Sequence, residues 1–163
     1  LIGRVGRIQS NIAIEIRKTG DFVGAIDMMQ QAIATFESLD DLYAMGAVLV
    51  NLGKTYELAG EDDDADPVVR RALTIALQTQ AGLVYPHGLI GLARTAQRRG
   101  DDERAARLAA VIEAHSGDAR LRNEATAVLD RLPAPVTQRA RVTAQTETLE
   151  DVVRFCVAGA DTI

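Results

Sequence analysis

The chain has 163 residues, 47% hydrophobic and 25% charged, with a net charge of −5; this length allows one domain that buries roughly 70% of its unfolded surface and excludes a peptide-sized scaffold or a disordered tail. Only 4% of residues are aromatic, with no Trp, and an apolar supply made mostly of Ala, Leu, Val and Ile favours helices over aromatic-rich strands. An all-α fold is the expectation, and the single Cys156 excludes an internal disulfide framework and a multi-cysteine zinc site, so a reducing, cytoplasmic compartment is expected.

The longest apolar run, Leu42 to Val50 with Gly46 counted, is about half of what a membrane span requires, so no membrane partner is expected. The chain opens on Leu1 and lacks a basic-then-apolar leader, and it is expected to be a piece of a longer polypeptide. Its acidic balance argues against undirected nucleic-acid binding, and the preponderance of Arg over Lys suggests a GC-rich bacterial genome.

An internal register organises the chain. Gly20, Gly60 and Gly100 stand 40 residues apart, each followed by an acid (Asp21, Glu61, Asp101) and, five residues past the glycine, by Ala25, Ala65 or Ala105. Upstream lie Ile12, Leu52 and Leu92, then the small residues Ala13, Gly53 and Ala93, then Ile16, Tyr56 and Ala96. Downstream lie Met29, Val69 and Ala109, then Ala32, Ala72 and Ile112; the poor column sets Gln9 against Leu49 and Leu89. Apolar spacing of i, i+3, i+4 and i+7 on both sides of the glycine predicts two amphipathic helices per unit. The glycine ends the first helix in the left-handed conformation, and the following acid suits the positive N-terminus of the second. Small residues at the Ala13/Gly53/Ala93 and Ala25/Ala65/Ala105 columns would let the paired helices touch.

Repeats are expected over about 4–39, 40–79 and 80–115, making an array over 1–115, with capping helices over 116–163. Pro67 is expected to open the second helix of the middle unit from near Asp66, leaving the acidic run Glu61 to Asp66 as a loop. Pro86 is expected to open the first helix of the third unit after Tyr85. Past residue 116 the period stops, and helices are predicted over 118–132, 135–145 and 149–159, the last behind a Thr148–Asp151 capping box. These would cover the last apolar face of the array.

The Leu-Gly or Leu-Ala step, the aromatic three residues on, the glycine–acid turn and the downstream alanines resemble the tetratricopeptide repeat family. The middle unit, LVNLGKTYELAGEDDDADPVVRRALTIA, carries the likeness best, and the likeness covers about residues 4 to 115. It implies a right-handed α-solenoid of three helix hairpins that contacts a protein or peptide partner without catalysis. The period of 40 exceeds the family's usual 34, implying longer helices or turns. The string ERAARLAAVIEA, Glu103 to Ala114, followed by TLEDVVRFC, Thr148 to Cys156, is similar to the C-terminal end of large bacterial ATP-binding regulators of the LuxR and antibiotic-regulatory type. That likeness implies an interaction module in a signal-responsive transcriptional regulator, attached to an ATPase or DNA-binding domain of which these residues carry no trace.

Motifs that could carry chemistry reduce to the repeat. Gly53-Lys54-Thr55 lacks a P-loop's first glycine, since Val48 stands there. His87 and His115 have no carboxylate or thiol at metal-ligand spacing, and Cys156 sits on an apolar helix face. The acids from Glu61 to Asp66 lack the glycine and terminal glutamate of a calcium loop. Arg94, Arg98, Arg99, Arg104 and Arg107 form a basic cluster, but Asp101, Asp102 and Glu103 stand among them to pair with, and no aromatics interleave to stack bases. No cofactor, metal or enzymatic activity is expected.

What remains is the inner face of the array, to which the first helix of each unit would contribute residues lying off its packing stripe. The candidate groove residues are Asn11, Asn51, Lys54, His87, Arg94 and Arg98. The likeness implies that Asn11 and Asn51, at one repeat position, hydrogen-bond a bound peptide's backbone. The mix of positive charge and apolar patches suits a peptide with carboxylates and one or two apolar anchors. Clamping of a chaperone's terminal carboxylate is rejected, because Ser10, Ile14, His87 and Gly91 stand where the family places further ligands. The alternative partners are another domain of the parent chain or a second copy, through homo-oligomerisation or autoinhibitory packing.

Overall fold

The computed structural model describes residues 1–158, all of whose regular structure is helical. Contacts divide the chain into two compact units, Leu1–Val84 and Tyr85–Ile163. The first holds α1 (Ile2–Lys18), α2 (Phe22–Ser38), α3 (Leu42–Ala59), α4 (Asp62–Gln78) and a 3₁₀ turn over Gly82–Val84. The second holds α5 (Tyr85–Arg98), α6 (Asp102–His115), α7 (Ala119–Leu129), α8 (Ala134–Thr143) and α9 (Leu149–Ala158). The three expected C-terminal helices are present with slightly shifted ends; residue 159, the expected end of the last, lies outside the described residues.

In the first unit α1 pairs with α2, α3 pairs with α4, and α2 packs on α3 to join the two hairpins. The repeat columns explain the pairing. Ala13, Ala25, Gly53 and Ala65 are all buried, and a Cβ at Gly53 would overlap Val69 Cγ2. Gly6 does the same service for Phe36, whose Cζ lies 2.9 Å from where a Cβ would stand. Met29, Ala32, Ile33 and Phe36 of α2 form one core cluster with Met45, Val48, Leu49 and Leu52 of α3. The excess of the period over 34 lies in the helices here, which run to 17 or 18 residues.

The glycine hinges take the expected left-handed conformation, with φ of +86°, +80° and +75° at Gly20, Gly60 and Gly100. Asp21 and Asp101 cap the next helix, accepting from the Gly24 and Arg104 amides at 2.9 and 3.1 Å. Glu61, one methylene longer, makes no such bond, and α4 instead carries Asp62, Asp63 and Asp64 in its first turn. Turns between hairpins use the same geometry: Asp40 and Gln80 both have φ of 54°. The Asp41, Glu61, Ala81 and Asp101 amides each donate to the carbonyl five residues back, at 2.8–3.0 Å. Helix ends thus recur every 20 residues, half the sequence period.

Pro67 corrects the expected start of α4. The helix begins at Asp62 and Pro67 lies inside it, so the acidic run is helical rather than a loop. The missing N–H would have reached the Asp63 carbonyl, in the exposed first turn, and the proline itself is exposed, so water stays close to the disrupted position. Pro86 sits at the second position of α5, as expected.

In the second unit α6 is buried on almost every side, with Ala105, Ala106, Leu108, Ala109, Ala110, Val111 and Ile112 all inside. An all-round apolar helix needs neighbours all round. It has α5, α7, α8 and α9. The Thr148–Asp151 box closes the N-terminus of α9 reciprocally, the Thr148 amide donating to Asp151 at 2.9 Å and the Asp151 amide to Thr148 Oγ1 at 3.1 Å. Cys156 is buried on the inner face of that helix.

Left-handed geometry without a glycine is costly, most of all at Gln80, whose side chain cannot bond locally as an Asp does. Replacing Gln80 by Gly is expected to raise unfolding stability in urea by about 0.5–1 kcal/mol, and Gly60→Ala to lower it by about 1 kcal/mol.

Candidate interaction surfaces

The candidate residues divide between the two units. Asn11 on α1 is exposed; Asn51 and Lys54 on α3 are half-buried. His87, Arg94 and Arg98 lie on α5 in the second unit, with His87 and Arg98 exposed and Arg94 half-buried.

Asn51 is tied to its own scaffold. Its Nδ2 donates to the Ala47 carbonyl at 3.1 Å, while its own carbonyl accepts from Thr55 Oγ1 at 2.8 Å and from the Arg17 guanidinium at 3.2 Å. Arg17 was not singled out by periodicity, yet it bridges α1 to α3 across 34 residues and reaches Thr55 Oγ1 at 3.5 Å. Burial pulls its pKa below the ordinary value. The Asn51 face therefore has a half-buried cation beside it, with Lys54 one turn on. The concavity at Asn11, about 440 Å³, is lined by α1 residues alone, among them Ile12, Ile14 and Glu15.

A second groove of about 390 Å³ runs between α2 and α4 over a floor of Leu49, Leu52 and Tyr56 from α3. Arg71 closes one end by pairing with Glu37 at 2.5 Å, and Gln30 donates to the Tyr56 hydroxyl at 3.4 Å. The repeat register accounts for the buried floor but gave no sign of this opening. Its rim depends on Pro67 being part of a helix.

In the second unit two arginines of the basic cluster join helices or loops across the fold. Arg94 pairs with Glu124 of α7 at 2.5 Å, both side chains about three-quarters buried. Arg107 pairs with Glu147 and lies 4.2 Å over the Phe155 ring. Of the expected partners, Asp101 caps α6 and Glu103 pairs with Arg139 at 2.5 Å. Thirty or forty residues separate the real partners, which local spacing cannot reveal. Arg98 donates to Thr95 Oγ1 at 3.4 Å. His115 Nε2 donates to the Ala144 carbonyl at 2.7 Å, pinning the end of α6 to that of α8. Among the described residues no group of three or more His, Cys, Asp or Glu is arranged to hold a metal ion, and no helix is long and apolar enough to cross a membrane.

Residues 4–78 match the family model described as tetratricopeptide repeat, spanning both hairpins of the first unit. The chain carries a tetratricopeptide-like helical repeat. Such repeats generally mediate protein–protein contact, and they typically serve as non-catalytic scaffolds. A search of curated proteins returns no match.

Arg141 from α8 forks onto Glu113 of α6 at 2.7 and 3.0 Å, and this bond, with a smaller contribution from Thr126, holds the Glu113 carboxyl below its ordinary range. A depressed carboxyl stabilises the fold above its unfolded pKa, near 4.5, and that contribution is lost as pH falls through the lower folded value. In thermal melts, Glu113→Gln is expected to lower Tm at neutral pH yet to lose less further Tm than the parent between about pH 5 and 3.

Proposed function

We propose that this chain is a non-catalytic protein-binding module of a bacterial signal-responsive transcriptional regulator, and that the α1/α3 face of its first unit holds a peptide or partner segment. The observation that carries this reading is the Asn51 site. A half-buried asparagine is held by its own helix, with the half-buried Arg17 cation behind it and Lys54 a turn away. Asn11, at the matching repeat position, is exposed on α1. An asparagine so held offers a fixed amide to an extended backbone, and the two cations favour carboxylates on the bound segment. Ile14 and Leu58, on the same two helices, are available to apolar anchors.

In the parent regulator, binding would act by favouring one state of an attached ATPase or DNA-binding domain. A ligand of equal affinity for both states would change nothing. The cytoplasm is the compartment this role requires. On α5, in the second unit, His87 and Arg98 are exposed, whereas Arg94 serves the α5–α7 junction.

Display selection of random peptides against the intact 163-residue chain is expected to enrich sequences combining Asp or Glu with one or two large apolar residues. Enriched peptides should bind Asn11→Ala/Asn51→Ala/Lys54→Ala about tenfold or more weakly, at unchanged circular dichroism. Equal binding by the triple variant would remove this face from the account.

A further inference from the structure

Arg71, Arg94, Arg107, Arg139 and Arg141 each reach across the fold to a carboxylate some thirty to forty residues away. Arg17 reaches as far, from α1 to α3, and ends on neutral groups: its Nη1 donates to the Asn51 carbonyl at 3.2 Å and to Thr55 Oγ1 at 3.5 Å. Among the described residues no carboxylate pairs with it. Glu15, the acid of its own helix, is bound to Lys18 at 2.7 Å.

A guanidinium carries five N–H donors in one plane, and a carboxylate is taken bidentately by two that lie parallel. Nη1 is the nitrogen committed to α3, so the opposite edge, made by Nε and Nη2, holds no partner among the described residues. The side chain is half-buried, and loss of water pulls its pKa down with no anion to oppose the shift. A charge taken from water without a counter-charge costs stability, and such exceptions gather where a fold binds something. Lys54, on the same face, offers a point charge with no preferred plane.

We propose that Arg17 is the specificity-determining residue of the α1/α3 face, its Nε/Nη2 edge taking the side-chain carboxylate of an Asp or Glu in the bound peptide bidentately, beside the backbone that Asn51 holds. This rests on the α1/α3 face being the one that binds, and it makes the need for an acid a matter of geometry rather than of general attraction to positive charge.

The probes are peptides enriched by display on the intact chain, each paired with its Asp→Asn or Glu→Gln analogue and titrated by fluorescence anisotropy. With the parent, the amide analogue should bind about tenfold more weakly. With Arg17→Met the acid and its analogue should bind alike within about twofold, Arg17→Lys should recover only a small part of the difference, and Lys54→Met should keep all of it. Arg17→Met strands no carboxylate, so it should keep the parent's circular dichroism and lose less Tm than Arg94→Met, which leaves Glu124 unpaired. Peptides that are lost in Asn11→Ala/Asn51→Ala/Lys54→Ala, yet keep the full difference with Arg17→Met or Arg17→Lys, overturn the proposal and leave the binding face standing. A Tm loss for Arg17→Met as large as that of Arg94→Met also overturns it, since Arg17 would then serve the fold alone. Failure to enrich peptides, or peptides that bind the triple variant as well as the parent, overturns the binding face and the role of Arg17 with it.

Discussion

The close approach of paired helices at small residues is the constraint from which the rest of the first unit follows. Where Gly53 faces Val69 and Gly6 faces the Phe36 ring, no side chain larger than hydrogen fits without displacement. Helices brought this near interlock the next residues out, so that Met29, Val69, Ala32 and Ala72 become inaccessible together. Interiors packed at this density resist both added and removed methylenes, and a column of small residues is accordingly as restrictive as a column of large ones. The apolar face that remains on each hairpin can then be buried only by a further helix.

This is why so much of the fold was legible. The small columns, the glycine hinges and the Thr148–Asp151 box each depend on residues close in sequence, and each is where the spacing placed it. The turns at Asp40 and Gln80 were not legible, because the left-handed position is filled there by residues that do not advertise it. The helix ends repeat every 20 residues, but only every second one carries the glycine that composition can show. Pro67 misled for a related reason: a proline in the second turn signals a helix start, and here the cost is borne in an exposed, acid-rich turn whose charges favour helix at that end.

Electrostatics were the least legible layer. Two arginines of the basic cluster act as long-range struts, Arg94 to Glu124 and Arg107 to Glu147, and Arg141, outside that cluster, does the same with Glu113, the partners standing some thirty to forty residues apart. Arg17 does the same by donating to a backbone carbonyl. Exposed pairs of this kind contribute little individually, whereas the Arg94 pair is enclosed enough that losing one partner would strand a charge. The candidate site was only half legible on the same account: Asn11 and Asn51 follow from the register, but the cation behind Asn51 comes from another hairpin.

Comparison of α1 with α3 separates what a repeat sequence determines from what its surroundings determine. Both helices carry the same apolar stripe at the same register, and both turn Ala13 or Gly53 toward their own hairpin partner. They differ in the burial of that stripe (Met45, Val48 and Leu52 on α3, Val5, Ile8 and Ile12 on α1), with α2 lying against α3, and in the residues that flank it. Apolar periodicity therefore specifies the stripe, and the surroundings decide whether it is covered. Around the covered stripe of α3 the flanking residues are alanines, neutral toward any neighbour the chain's own connectivity brings. Around the exposed stripe of α1 they are Arg4 and Arg7. Between α2 and α3, joined by a short turn, proximity along the chain does the selecting, so the flanking positions of α3 need carry no charge to choose their neighbour.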